Sequence, residues 1–387
     1  YGSQSSCVDP YAVALDSQGN VYIADTMHAR VQKFSPGVPY WQQVNINGFG
    51  DRHNENITSL EIFNGQLYAG ASNWWDGAQI WRSTDGRNWQ PTSAPGFGYS
   101  NPLANAAAID MVGFNNNLYV STGWGNGQGQ LWRSANGNTW EQIDFNDPNT
   151  NPSALGIYQS KLYMGAFSDS GFLIWRSSSG ASSSWEKVAS DGLGDSNNQN
   201  VTGFQEFNGY FYAAVEAAQP GTMHIYRSSD GQTWSQVGAA GFGNENNYQT
   251  GGFAIYNGYL YIGTRNDVNG SQIWRTNNGT TWNVVMDDGF GDIKNHKIES
   301  LYTYQGNLYA GTRNETNGTQ IWRSPDGLNW TQINPDGFGD SNNIGLLWNS
   351  STIVYHDKLY FGTNNSANGG EIWQYTGSQV YLPMLIR

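Results

Sequence analysis

The sequence predicts an all-β fold, a β-propeller of four-stranded antiparallel blades, on three observations. A Trp-centred unit recurs, Asn-Gly turns punctuate apolar runs, and Gly, Trp and Tyr are abundant. The recurring Trp falls at Trp81, Trp132, Trp175, Trp274, Trp322 and Trp373, with Tyr226 in its place once, roughly 43 to 51 residues apart. That period lies in the range of propeller blades. With 49 Gly, 23 Tyr and 17 Trp, the composition suits short strands, tight turns and aromatic packing rather than long helices.

Each unit reads as four strands. The first is an apolar run such as residues 57–63 or 298–304. A two-residue turn follows, Asn64-Gly65, Asn208-Gly209, Asn257-Gly258 or Gln305-Gly306, of the kind in which both positions need positive φ. The second strand is Leu308-Tyr309-Ala310-Gly311-Thr312 or its equivalent, and a variable Asn/Gly-rich loop leads to the third, Gln320-Ile321-Trp322-Arg323-Ser324. An Asp-Gly turn leads to the fourth, which starts at Trp89, Trp140, Trp185, Trp234, Trp282 or Trp330. A Gly-Phe-Gly-Asp loop such as residues 337–340 then passes to the next unit. One such sheet cannot bury both faces, whereas radial stacking buries them against neighbours. The repeated aromatics supply that core at ~150–250 Å² each.

The two ends read differently. Ala12-Val13-Ala14-Leu15-Asp16, Val21-Tyr22-Ile23-Ala24-Asp25 and Arg30-Val31-Gln32-Lys33-Phe34 resemble an NHL repeat, which is itself a propeller blade. The resemblance implies a blade over about residues 9–45, finished by residues 40–45. Residues 358–375 supply the middle of a closing blade over 350–387, with residues 379–386 as its fourth strand. With the units between 57 and 335, the expectation is a single domain over 1–387 with eight blades, or seven if one end lies outside the ring.

The turn Ser83-Thr84-Asp85-Gly86-Arg87-Asn88-Trp89 recurs around Asp230 and Trp234 and around Asp326 and Trp330. It resembles the Asp-box of sialidase-like (BNR) propellers, shortened by one residue between Asp and Gly. The resemblance implies a structural turn, away from the face that carries catalysis. Asp accepts backbone N–H bonds, Gly takes positive φ and Trp packs beneath.

Composition excludes several partners. A net charge of -13 repels phosphate backbones and anionic lipid surfaces, so neither nucleic acid nor a membrane surface is expected. No run approaches the ~18 apolar residues of a membrane-spanning helix. The lone Cys7 permits neither an intrachain disulfide nor a cysteine zinc site, leaving pairing between chains or modification. The chain opens on Tyr1, which suggests a processed or partial form. Few Lys, one Cys and abundant Asn, Gly, Ser and Thr favour an extracellular or cell-surface address, and Asn-x-Ser/Thr triplets, Asn56, Asn200 and Asn314 among them, permit glycosylation without showing it.

Candidate sites follow from residues that break the repeat. Arg82, Arg133, Arg176, Arg227, Arg275 and Arg323 share one blade position, so they are expected to span neighbouring strands or blades. Arg265 and Arg313 stand apart, in Gly-Thr-Arg-Asn of adjacent units, as candidates for joint anion binding. Trp74, Trp75, Asp76 and Trp124 sit in polar loops and suit sugar stacking, with a Trp folded back over its blade as the alternative. Asp51, Asp195, Asp292 and Asp340 offer oxygen ligands for Ca²⁺ or, alternatively, caps for Asx turns. No other cofactor is expected. A two-carboxylate glycosidase needs a carboxyl pair in unlike environments; 31 acidic residues leave room for such a pair, but no insertion-bearing loop stands out as a catalytic platform.

The resulting expectation is a secreted, non-catalytic propeller that binds a glycan or an extracellular protein through its loop face. One alternative is a self-assembling subunit of an extracellular filament, sheath or surface layer, joined through the apolar strand at residues 380–386. The other is a sialidase-like glycoside hydrolase.

Overall fold

The computed structural model describes residues 10–15, 21–25, 30–34, 39–123, 129–145, 147, 150–218, 221–346 and 349–378. Strands and short 3-10 turns are present, and no α-helix occurs among the described residues. The chain divides into two compact units, Tyr1–Gln42 with Tyr375–Arg387, and Gln43–Gln374. In the first unit Pro10–Leu15, Val21–Asp25 and Arg30–Phe34 pair antiparallel, in sequence order.

The second unit is a β-propeller. Sheet I runs from Asn54–Phe63 to Gln90–Pro91, sheet II from Ala107–Phe114 to Glu141–Ile143, and sheet III from Asn151–Tyr158 to Trp185–Ala189. Sheet IV runs from Asn198–Phe207 to Ser235–Gln236, sheet V from Gln249–Tyr256 to Asn283–Met286, and sheet VI from Lys297–Tyr304 to Thr331–Gln332. Each is a four-strand antiparallel meander, because two-residue turns join its first strands. At one such turn Asn64 and Gly65 take φ of 49° and 72°, a conformation the Asn-Gly pair adopts at little cost. Sheet VII takes Thr352–Tyr355, Lys358–Gly362 and Ile372–Ser378 in order, with Pro39–Gln43 as its fourth strand.

The ring therefore closes on seven sheets among the described residues, the alternative count rather than the eight expected first. The first strands of successive sheets contact one another all the way round, VII against I included. The Ile57 N–H donates to Thr363 O at 3.0 Å, and Ile57, Leu60 and Leu67 pack on Tyr355, Tyr360 and Ile372. The expectation failed where it gave residues 40–45 to the N-terminal blade. Instead the Val44 N–H donates to Ile372 O at 2.9 Å, and Asn45 Oδ1 accepts the Ile372 N–H at 2.7 Å. The expected fourth strand at 379–386 lies outside the described residues, as does Cys7.

Between sheets the core is aromatic and aliphatic. Each fully buried Leu, Ile or Phe contributes about 1.5–3 kcal/mol. A recurrent device fixes the loops that enter each sheet. Phe49 holds φ of 57°, costly for a residue with a Cβ, while its ring stacks on Trp81 at 4.4 Å. Phe97 on Trp132, Phe242 on Trp274, Phe290 on Trp322 and Phe338 on Trp373 repeat it, all at positive φ. A buried Asn then ties the loop down. Asn247 Nδ2 donates to Gly241 O at 2.9 Å and to Gln272 Oε1 at 2.7 Å, and Asn295 and Asn343 make the matching bond to Gly289 O and Gly337 O.

Candidate functional site

The first strands line the axis, so residues at matching strand positions form rings around it. Counting back from the aromatic that precedes each hairpin, the fourth position holds Ser59, Asp110, Ala154, Gly203, Gly252, Ser300 and Ser351. Six of the seven are small, which leaves space, and the exception is a carboxylate. Two positions nearer the hairpin, Glu61 is the sole acid beside Val112, Gly156, Gln205, Ala254, Tyr302 and Ile353. The space is an axial cavity of about 260 Å³, lined by Glu61, Asp110, Thr202, Phe204, Phe253 and Tyr302 among others.

The two carboxyl groups sit in unlike surroundings. Asp110 is pinned: Oδ1 accepts the Met111 N–H at 2.9 Å and Oδ2 accepts the Leu155 N–H at 2.8 Å. Burial pushes it up to about 7, with those two bonds and one from Ser350 opposing. Ser350 arrives from an irregularity in sheet VII. From Asn343 to Tyr355 is 12 residues, where the equivalent step in sheet I, from Asn54 to Phe63, is nine. The extra length carries the 3-10 turn Asn349–Ser351 to the axis, where Ser350 Oγ lies 3.4 Å from both Thr58 O and Ile109 O. Burial and then the charge of Asp110 push Glu61 up to about 8. One member is thus held by backbone donors, and the other retains its proton to higher pH.

A second polar group lies at the loop end of sheets V and VI. Arg265 pairs across strands with Lys297, and Lys297 with Arg313, so three cations stand in a row. This brings together the two arginines singled out in the sequence. Each is engaged by its own carboxylate. Arg265 reaches Asp267 at 3.0 and 3.3 Å, and Arg313 reaches Glu315 at 2.9 Å and Glu299 at 3.5 Å. Tyr248 donates to Asp267 at 2.5 Å beneath the Arg265 guanidinium. An open cleft of about 500 Å³ adjoins them, lined by Thr222, Glu245, Tyr248, Asp267 and Val268.

The remaining sequence candidates are dispersed. Trp75 is 65% exposed beside His53, Trp74 is half-buried and Asp76 is exposed, whereas Trp124 lies outside the described residues. Asp51, Asp195, Asp292 and Asp340 each accept the backbone N–H two residues on, at 2.9–3.0 Å, which is the Asx-turn geometry. No group of three or more His, Cys, Asp or Glu suited to a metal occurs among the described residues. In the Asp-Gly turns, Ser83 Oγ accepts the Gly86 N–H at 2.8 Å, and Asp85 Oδ1 accepts from Arg87 and Asn88 at 2.8 Å. Asp230 and Asp326 repeat this, and the backbone donors hold all three carboxyls below the usual range. Trp89 Nε1 donates to Val44 O at 3.0 Å, and Trp234 and Trp330 pack against the cores of sheets III–IV and V–VI. The repeated arginines bridge sheets: Arg133 reaches Gly180 O, Arg176 reaches Asp230 O and Arg227 reaches Gly279 O.

No protein-family model matches this chain. No curated protein matches it either. Solved structures do. A GH74 xyloglucanase from Xanthomonas campestris superposes with a TM-score of 0.61 at 16% identity, over 89% of this chain and 55% of that one. This chain therefore spans about half the length of that enzyme. A PL25 ulvan lyase bound to -[GlcA(1-4)Rha3S]- matches with a TM-score of 0.52 at 12% identity, over 85% of this chain and 94% of that one. The polysaccharide lyase Uly1 matches with a TM-score of 0.52 at 10% identity, over 87% and 93%. At these identities the likeness establishes the propeller fold.

The comparisons contradict the expectation of a non-enzyme, since several of the solved propellers this chain is similar to are enzymes, the xyloglucanase and the two lyases among them. Sequence reasoning missed the axial pair because Glu61 and Asp110 fall in the first strands of two different sheets, at strand positions two apart. Aligning those strands by their hairpin aromatics would have exposed both.

Proposed function

We propose that this chain is a glycan-cleaving enzyme, a glycoside hydrolase whose acid and base are Glu61 and Asp110. The single observation behind this reading is a pair of carboxyls in unlike environments inside one axial cavity, which glycoside hydrolysis requires. Glu61, protonated below about pH 8, donates its proton to the glycosidic oxygen as the C–O bond breaks. Asp110, oriented by Met111 and Leu155, takes a proton from the water that adds its hydroxyl to the anomeric carbon. Hydrolysis is favoured over elimination because a lyase needs a cation to neutralise a uronate, and no Lys or Arg is among the residues that line the cavity. The cavity is smaller than the ~300–1,000 Å³ of sites for larger ligands, which suits one terminal sugar unit. An extracellular setting accords with a polysaccharide substrate.

The test is a panel of aryl glycosides and neutral polysaccharides, read by released chromophore and reducing ends. Wild-type protein should cleave at least one substrate, and Glu61→Gln and Asp110→Asn should each lose at least 100-fold, on the scale of ~10²–10⁴ for a positioned acid or base. Cleavage that survives both substitutions would overturn the assignment.

A further inference from the structure

We infer that the open cleft between sheets IV and V, at their loop end, is a second binding site, for a sugar that carries a protonated amine. The cleft holds about 500 Å³ and shares no lining residue with the axial cavity. Glu245, Asn246 and Tyr248 reach it from the loop that leaves sheet IV, Thr222 from just ahead of His224–Ser228, and Asp267 and Val268 from just after Tyr259–Arg265. Two of these residues depart from the repeat. Where matching loops carry Arg52, Ser196, Ile293 and Ser341, this one carries Glu245, and Tyr248 stands in place of Glu55, Gln199, His296 and Ile344. The shared loop fold requires neither, since Asn247 ties this loop to Gly241 O as its counterparts do elsewhere.

Tyr248 is a fixed platform in the cleft wall. Its N–H donates to Arg265 O at 3.3 Å, and its hydroxyl donates to Asp267 Oδ2 at 2.5 Å. The Arg265 guanidinium lies 5.1 Å from the ring centroid. That guanidinium is itself held by Asp267 at 3.0 and 3.3 Å and by Gln249 Oε1 at 3.3 Å. A ring already immobilised loses little freedom when a ligand packs on it. Val268, 60% exposed, extends the apolar surface of the same cleft. The polar groups beside it are within reach of a ligand. Glu245 is exposed, Asn246 and Thr222 are half-buried, and no hydrogen bond or ion pair among the described residues engages their side-chain polar atoms.

The chemistry selects the ligand class. An aromatic ring with an aliphatic neighbour covers the C–H face of a pyranose, and the Thr222 hydroxyl and Asn246 amide both donate and accept toward its hydroxyls. Glu245 and Asp267 only accept, and the cation beside them, Arg265, is already paired with Asp267. Two carboxylates against one guanidinium leave a local charge of −1, which repels a uronate or a sulfated sugar and attracts an ammonium group. The volume lies within the ~300–1,000 Å³ of small-ligand sites, so the cleft takes a short piece of such a glycan.

Calorimetric titrations with D-glucosamine, D-glucose and D-glucuronate at pH 6, with crystals soaked separately in the same three sugars, test this. Glucosamine should occupy the cleft with its ring against Tyr248 and its ammonium toward Glu245 and Asp267. Glucose should bind at least fivefold more weakly, and glucuronate at least tenfold more weakly. Tyr248→Leu should lose at least tenfold in affinity for glucosamine. Glu245→Gln changes an exposed side chain and keeps the test readable should the tyrosine variant fold poorly; it should lose about two- to fivefold, the scale of an exposed ion pair. A cleft empty of glucosamine, glucose or glucuronate bound as tightly as glucosamine, or full affinity in either folded variant would overturn the proposal. A protein that binds glucosamine here but cleaves no glycan would sink the hydrolytic reading and leave this one standing.

Discussion

Gly86 in sheet I lies against Tyr360 of sheet VII, so close that a Cβ on the glycine would stand 2.2 Å from the tyrosine hydroxyl. The same contact joins Gly137 to Tyr68, Gly180 to Tyr119, Gly231 to Tyr163, Gly279 to Tyr212 and Gly327 to Tyr261. The Asp-Gly turn of one sheet is thus the lid on the buried second-strand Tyr of the sheet before it. The Gly86–Tyr360 pair makes that relationship across the point where the ring closes.

Gly86→Ala should therefore destabilise by more than the ~1 kcal/mol of an ordinary glycine replacement, since φ is also +73°. Tyr360→Phe removes the hydroxyl and relieves part of the clash. In thermal melts the double variant should be less destabilised than the two single effects summed, and strict additivity would contradict the contact.

The positive-φ phenylalanines predict a different response. Phe338 is 8% exposed and stacks on Trp373 at 4.6 Å. Phe338→Ala should cost about 3–5 kcal/mol in urea unfolding, as for other large buried aromatics. A loss under ~1 kcal/mol would mean that the stack does not hold this loop.

Gly203 offers a way to fill the axial cavity without touching its carboxyls. A Cβ there meets nothing closer than Phe253 Cδ2 at 3.9 Å. Gly203→Val should leave the melting temperature within a few degrees of wild type and cut glycan cleavage at least tenfold. Unchanged cleavage would place the substrate elsewhere.

The carboxyl pair also predicts a stability profile. Model-peptide Asp and Glu titrate near ~4, whereas Asp110 and Glu61 are pushed up to about 7 and about 8 in the folded chain. Below the ordinary value both are protonated, folded or unfolded, and their contribution is intact. As pH rises toward the folded values the unfolded chain ionises first, so this contribution is lost and then levels off above about 8. Glu61→Gln should flatten the difference in urea midpoint between pH 5 and pH 9. A variant with the wild-type slope would show that Glu61 ionises normally.

Much of the fold was legible because its signals are local. Asn64-Gly65, Trp81 and the Asp85-Gly86 turn each act within a few residues, and each marks the element it forms. The number of sheets was not legible, because Pro39–Gln43 pairs with Ile372–Ser378 across the length of the chain and no local pattern encodes that choice. Nor did anything announce a left-handed Phe49, whose backbone cost is offset by its stack on Trp81. Arg265 and Arg313 stood out as departures from the repeat, but their carboxylate partners emerged only with the strand register. Asp110 became visible only beside Ser59, Ala154 and Gly203, as the one large polar residue in a ring of small ones.

The pH dependence of kcat/KM for a cleaved glycan tests the catalytic assignment most directly. Asp110 must be ionised and Glu61 protonated, so the profile should be a bell with limbs near about 7 and about 8, and Glu61→Gln should abolish the alkaline limb. A profile that falls only near ~4, the ordinary carboxylate range, or an alkaline limb that persists in Glu61→Gln, would contradict it.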